Sequence, residues 1–243
     1  MGMPHIDAFV KKLSRYCALN QADLSVLREL QGPVREFSRG TEIGDEYEER
    51  TDAYILLDGW VHNYKLTRDG GRQIINFPVA GDIIGLRSLI LPVASYASIT
   101  LTNVTVCLIP RERLVDVMTR FTHIAASILW TQAHEEAITV EHLVSVGRRT
   151  ALERVAHLLV ELVYRLRLSG LASGWTYDCP LGQHELADAL GLSVVHINRV
   201  LRQLREREIV TFRQNRVVIH DIAALREVAG FDSSYLDPEG VLE

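Results

Sequence analysis

An α+β fold is predicted for this chain, with a β-domain first, a long helix next and a winged helix-turn-helix last. Three observations carry the prediction. Residues 34–110 alternate short apolar runs with glycine turns, residues 112–146 contain neither proline nor glycine, and residues 181–221 read as helix, glycine turn, helix and hairpin. The expected boundaries are 1–110 for the β-domain with short N-terminal helices, 111–147 for the long helix and 148–243 for the C-terminal domain.

Hydrophobic residues form 47% of the 243 and charged residues 23%, a globular composition with length for one large or two medium cores. A net charge of −5 gives no global reason to expect a polyanion as partner. The distribution is less neutral: residues 148–220 hold 11 Lys and Arg against 7 Asp and Glu, leaving 15 against 24 elsewhere. A basic module attached to an acidic one is compatible with nucleic-acid binding by the former. Cys17, Cys107 and Cys179 are far apart and show no CxxC spacing, so neither a disulfide framework nor a cysteine-rich metal site is expected. No apolar run reaches signal-peptide or membrane-span length, and the chain reads as cytoplasmic with no membrane partner.

Within the β-region, "AYILLDGWVHNYKL" is rich in β-branched and aromatic residues and turns at Asp58-Gly59. A turn at Asp69-Gly70-Gly71, a strand over 73–77, a turn at 80–82 and a strand over 83–85 follow, then two strands around Thr102-Asn103. Many short strands at this rhythm predict a small antiparallel barrel or sandwich. The acidic run "GDEYEERTD" is read as a solvated loop between strands.

From Glu112 to about Val146 the period changes to that of a helix. Ala126, Trp130, Ala133, Ala137, Val140, Val144 and Gly147 recur at alternating spacings of four and three, the seam of a two-helix coiled coil. The first six are the expected dimer interface of a homodimer. The alternative is that the stripe docks on the chain's own β-domain; its length favours the dimer.

"RRTALERVAHLLVELVYRLRLSG" gives an amphipathic helix closed by Gly170, and a polar turn follows. Residues 183–190 form a short helix, Gly191 suits its left-handed C-terminus, and Ser193 offers an N-cap hydroxyl to the next helix. In that second helix Ile197, Val200, Leu201 and Leu204 form the buried face, leaving Val194, Val195, His196, Asn198, Arg199 and Arg202 outside. Major-groove reading needs donors and acceptors on the leading turns of such a helix. Arg pairs bidentately with guanine, Asn with adenine, and a valine methyl touches thymine. "IVTFRQNRVVIH" is a hairpin whose basic tip, Arg213 to Arg216, suits a phosphate backbone. Candidate DNA-contacting residues are therefore Ser193, Val195, His196, Asn198, Arg199, Arg202, Arg213 and Arg216, with double-stranded DNA as partner.

Taken together, residues 35–220 resemble the Crp/Fnr family of bacterial transcription regulators. The resemblance rests on "AYILLDGWV", "PVAGDIIGLRSLI" and "HELADALGLSVVHINRVLRQL", the last fitting the family's S/T-x-x-x-x-x-R-x-L pattern at Ser193, Arg199 and Leu201. It implies a double-stranded β-helix, or jelly-roll-like β-roll, as sensor domain, a dimerisation helix, and a homodimer on a near-palindromic site that meets RNA polymerase.

Departures from the pattern bear on the effector. Relatives that bind cyclic AMP carry a glutamate where Leu86 stands and an arginine in the segment here reading "PVASYASIT". An anionic phosphate buried without a cationic or amide partner is costly, and Arg87 is expected to point away from Leu86. The oxygen-sensing branch uses four cysteines, three near the N-terminus, where this chain has Cys17 alone. Haem would need His62 or His123. No cofactor or metal is expected. A small-molecule effector, if the β-domain takes one, would meet an apolar pocket at Ile84, Gly85, Leu86, Leu89, Ser95 and Tyr96, although these side chains serve equally as core, and a scaffold without effector is the alternative. The missing glutamate at Val195 implies a half-site unlike the commonest family ones. "HEEAI" at His134 is not HExxH and no GxSxG or phosphate-loop motif occurs, so an enzyme is not expected.

Overall fold

The structure is a computed structural model and describes residues 7–44, 52–89 and 96–236. Most of the acidic run between Gly44 and Asp52, and Ser95 of the expected pocket, lie outside those residues. The chain divides into two compact units: residues up to Gly70 with Asn76–Ala133, and Gly71–Ile75 with His134 onward.

The first unit opens with two helices, α1 (Asp7–Ser14) and α2 (Gln21–Glu29). Helix α2 starts at a capping box in which the side-chain oxygen Oδ1 of Asn20 accepts from the Ala22 and Asp23 amides, and the Asp23 carboxylate accepts from the Asn20 backbone amide in return. Strands β1 (Val34–Phe37), β2 (Glu42–Gly44), β3 (Asp52–Asp58), β4 (Val61–Leu66), β5 (Arg72–Asn76), β6 (Ile83–Ile84), β7 (Ala97–Thr100) and β8 (Val104–Pro110) form two four-stranded sheets. Their orders are β1-β8-β3-β6 and β2-β7-β4-β5. Apart from β4 and β5, consecutive strands fall in different sheets, the hallmark of the predicted jelly-roll-like β-roll.

Ile55, Leu86, Cys107 and Ile109 pack with Phe9, Leu13, Leu27 and Leu30 of the N-terminal helices, so α1 and α2 close one end of the core. A second cluster gathers Leu56, Val61, Ile84, Val104 and Val106. Gly59 makes its turn at φ +91°, and a Cβ there would stand 2.5 Å from the Asn103 carbonyl oxygen, so no other residue fits. Asp82, after the Gly81 turn, accepts from the Val79 amide and from Lys12 Nζ at 2.6 Å, tying α1 to the sheet through a nearly buried ion pair.

The long helical region is broken once. Helix α3 (Arg111–Arg120) ends at Phe121, whose backbone leaves helical space, and α4 (Thr122–Arg148) follows. The sequence predicts one continuous helix because no proline or glycine marks the break. Phe121 turns its ring against the core formed by Leu114, Val117, Ile124 and Ile128, a tertiary contact that local propensity does not show.

In the second unit, α5 (Ala151–Ser169) begins at a Thr150–Glu153 capping box and ends at Gly170. Tyr164 of α5 packs on Trp175 and Phe231, whose ring centroids lie 5.8 and 5.1 Å away, and the Tyr177 hydroxyl donates to the Leu159 carbonyl. Helices α6 (Gln183–Leu190) and α7 (Val194–Glu206) make the helix-turn-helix, and α8 (Ile222–Ala229) packs on α5. The wing is a three-stranded antiparallel sheet, β10 (Val210–Arg213), β11 (Arg216–Ile219) and β9 (Thr176–Asp178), in the order β10-β11-β9. The sequence reading took the β9 segment for a polar turn; Tyr177 pairs with Val217 and its three residues are too few for a period to show.

Candidate nucleic-acid interface

Helix α6 ends at Gly191 with φ +61°, the left-handed C-cap that the turn demands. Ser193 then caps α7: its hydroxyl oxygen accepts from the His196 amide. Ile197, Val200 and Leu204 are buried, Leu201 half-buried, and this face fixes the rotation of the helix. Val195, Asn198, Arg199 and Arg202, at i, i+3, i+4 and i+7, fall on the opposite face and are all exposed, Val195 to 75%. Val194, expected outside, is half-buried.

His196 is also exposed, and its Nδ1 lies 3.0 Å from the Ser193 hydroxyl. That leaves Nε2 as the ring nitrogen for an outside partner. The one carboxylate on α7 is Glu206 in its last turn, four residues beyond Arg202, so the leading turns of the exposed face carry no negative charge of their own. The chemistry of such a face suits phosphate, and an arginine fork like that of Arg199 has the geometry to pair with a guanine edge.

Arg213 pairs with Arg216 in the hairpin register, and Gln214 and Asn215 both adopt positive φ, the tight turn that suits a two-residue hairpin. Both arginines are exposed at the wing tip. The eight residues expected to contact DNA thus lie in two groups, six on the cap and open face of α7 and two on the wing.

Sequence reasoning missed Gln183, the first residue of α6. Its Nε2 donates to Asn198 Oδ1 at 2.6 Å, and Asn198 Nδ2 donates back to Gln183 Oε1 at 2.8 Å. Fifteen residues separate the two amides, and no pattern in the sequence joins them.

A second constellation missed in the sequence lies inside the same unit. Glu161 of α5 is fully buried, and both its carboxylate oxygens lie 3.0 Å from His142 Nε2. The Tyr235 hydroxyl donates to it at 3.1 Å, and Arg165 stands 3.6 Å away. His142 Nδ1 lies 3.0 Å from the Ile75 carbonyl oxygen, which can only accept. Both ring nitrogens therefore face acceptors, the arrangement of an imidazolium. Burial opposes that charge, but Glu161 outweighs it and raises the His142 pKa. Burial likewise opposes the Glu161 carboxylate, yet the charge and hydrogen bond of His142, with Arg165 beyond, pull its pKa down to about 2. His157, stacked on Tyr235 and edge-on to Phe231, is held neutral by burial, its pKa lowered to about 4.

The described residues of the expected effector pocket are distributed between the two core clusters and their edge. Ile84 is buried in one core cluster and Leu86 in the other. Gly85 is buried between them, Tyr96 is half-buried, and the side chain of Leu89 falls outside the description. Core is the better reading of Ile84 and Leu86. Arg87 is exposed while Leu86 is not, as expected, although the segment is a 3-10 turn (Leu86–Leu89) rather than a strand. His123 Nε2 is engaged by Asp23 at 2.5 Å, and His62 is buried in β4 beside Tyr64.

Along α4, Ala133, Val140 and Val144 of the expected interface are exposed, whereas Ala126, Trp130 and Ala137 are half-buried. Trp130 lies 5.6 Å from the Tyr16 ring. Two leucines outside the predicted stripe are more exposed, Leu129 to 67% and Leu143 to 73%. Leu129 and Leu143 lie one position before Trp130 and Val144, and with Ala133, Val140 and Gly147 of the expected stripe they make an exposed repeat of 3.5 residues.

Comparison with known proteins agrees with this architecture. Residues 34–121 match the cyclic nucleotide-binding domain, and residues 153–228 match the Crp-like helix-turn-helix domain. The chain is 25% identical over 92% of its length, and 89% of the relative's, to the fumarate and nitrate reduction regulatory protein of Vibrio cholerae. It is 24% identical to the transcriptional activator protein Anr of Pseudomonas protegens, covering 88% of this chain and 87% of that one. The solved structure of FixK2 from Bradyrhizobium japonicum superposes with a TM-score of 0.75 at 28% identity, over 82% of this chain and 98% of that one. With a β-roll, a long helix and a capped recognition helix in this order, and both domain families matched, the chain belongs to the Crp/Fnr family of DNA-binding transcription regulators.

Proposed function

We propose that the protein is a homodimer that reads a near-palindromic DNA site through α7 and meets RNA polymerase there. The carrying observation is the open face of α7: Val195, His196, Asn198, Arg199 and Arg202 exposed from a capped N-terminus, opposite Ile197, Val200 and Leu204. The wing arginines Arg213 and Arg216 serve the phosphate backbone. Dimer formation is supported by the apolar repeat of Leu129, Val140 and Leu143 on α4, too exposed to be left in water without reason. The name of the Anr relative, a transcriptional activator, supports an output through polymerase.

The residues present do not fit cyclic AMP. Leu86, at the position of the ribose-binding glutamate, is buried in core, and Arg87 stands in solvent. They do not fit a four-cysteine cluster either. Cys17 faces the Ser127 hydroxyl, and Cys107 is a core thiol whose pKa burial raises. Cys179 is buried in the other unit, its thiol pushed up to about 12 by desolvation. The β-roll acts as a scaffold or answers a different small molecule, and the core placement of Ile84 and Leu86 favours the scaffold.

Binding-site selection from randomised duplexes tests the reading. Arg199→Ala is expected to cost about 1–3 kcal/mol of specific binding and to relax the preference at one base pair in each half-site. A selected motif that the substitution leaves intact would show that α7 does not read the site.

A further inference from the structure

The reciprocal amide pair between Gln183 and Asn198 changes what α7 can read. A primary amide reads adenine with one edge: its oxygen accepts from N6 while the N–H on the same side donates to N7. Two amides that donate to each other, at 2.6 and 2.8 Å, close a ring through that same edge on each partner. What remains on Asn198 is its second N–H and the second lone pair of Oδ1. These point away from each other across the amide, so no single base can take both. Both residues are exposed and sit on different helices, so the pair is not a consequence of core packing.

We propose that Gln183 is a specificity-determining residue. It occupies the adenine-reading edge of Asn198 and leaves that residue only single, diverging contacts. The inference rests on α7 entering the groove, and it replaces the sequence-based expectation that Asn198 recognises adenine bidentately. In the folded protein the base pair beneath Asn198 is read weakly, and Arg199, one residue on, carries the stronger preference. Gln183 touches no base in this arrangement; it acts through Asn198. Removing its side chain beyond Cβ disturbs neither the Gly191 turn nor the Glu185 carboxylate that accepts from the Gly182 amide at the start of α6.

The test is binding-site selection with the full chain as wild type, Gln183→Ala, Asn198→Ala and Gln183→Ala/Asn198→Ala. Asn198→Ala identifies the base pair concerned. At that pair the wild type is expected to show little adenine preference, and Gln183→Ala a gain of roughly tenfold that the double substitution abolishes. All other positions of the motif are expected to stay unchanged, which a merely structural effect on the helix pair would not allow. A wild type already strongly selective for adenine there, or a Gln183→Ala motif identical to wild type, overturns the role of Gln183 while leaving α7 as the reader. Absence of any enriched motif for the wild type overturns both. As a second measure, Gln183→Glu keeps an acceptor for Asn198 Nδ2 but cannot donate to Oδ1. It is expected to shift the Asn198 side-chain amide resonances and to restore part of the adenine preference; unmoved resonances would show that the pair does not form.

Discussion

Glu161→Gln gives the sharpest test of the buried ionic cluster. The substitution keeps shape and removes charge, leaving the half-buried His142 with a neutral partner at the fully buried position 161. An imidazolium there would be uncompensated, so the ring gives up its proton and the His142 pKa falls below its ordinary value near 6.5. At neutral pH this costs little in protonation, because the unfolded chain is largely neutral at that histidine too. The loss is then that of charge-assisted hydrogen bonds from His142 and Tyr235, about 1–3 kcal/mol.

Acid changes the balance. In the wild type His142 is protonated in both states below 6.5 and adds no slope, because its raised pKa gives stability that is present at low pH and lost only as pH rises through the folded value. His157, with its pKa lowered to about 4 by burial, is charged only when unfolded over the window from 6.5 to 4, so its contribution is lost as pH falls. In Glu161→Gln both histidines behave that way. The difference between variant and wild type is therefore expected to widen by about 1.4 kcal/mol per pH unit, or about 2 kcal/mol between pH 6.5 and 5. Urea unfolding followed by fluorescence at those two pH values measures it. A destabilisation that stays constant across the window would show that His142 is not held as a cation by Glu161.

Three further outcomes are expected. Replacing Val140 and Leu143 by Glu puts charges on the exposed apolar repeat of α4 and is expected to raise the dimer dissociation constant at least a hundredfold, about 3 kcal/mol, in sedimentation; a persistent dimer would move the interface off this face. Cyclic AMP at millimolar concentration is expected to leave the melting temperature unmoved, since Leu86 offers its ribose no acceptor, and a clear rise would overturn that reading. Ile197→Ala, at a fully buried position on the inner face of α7, is expected to cost about 2–4 kcal/mol in urea unfolding of the DNA-binding unit. A cost within error of zero would mean that α7 is not seated by that face.

The parts of the fold legible in the sequence were those with strong local signals. Gly191 and Ser193 mark the turn and the cap because each has a backbone or hydroxyl role that few residues fill. The Arg213–Arg216 hairpin showed itself by two apolar runs flanking a polar pair. The break at Phe121 and strand β9 stayed hidden because tertiary packing alone makes them. On α4 the exposure of Leu129 and Leu143 was not legible, because a 27-residue helix buries one stripe and exposes another, and small residues such as Ala126 and Ala137 fit either. Leu86 stands where the sequence left pocket and core both open, and its burial in the cluster of Phe9 and Leu27 places it in the core.

Polar residues at helical spacing meet opposite fates on α5 and α7, and charge complementarity explains which is which. His157, Glu161 and Arg165 recur every fourth residue, and all three are buried. They can be, because the stripe contains both signs: Glu161 is met by His142 and Arg165 from either side, and Tyr235 completes its hydrogen bonds. The leading turns of α7 hold Arg199 and Arg202 with no acid among them, and the helix's one carboxylate, Glu206, stands in its last turn, so burial of both charges would be prohibitive. Asn198 on that face is satisfied by a neutral amide from another helix. A one-signed face must stay open, and an open cationic face on a helix seated by Ile197 and Val200 is one that a polyanion completes.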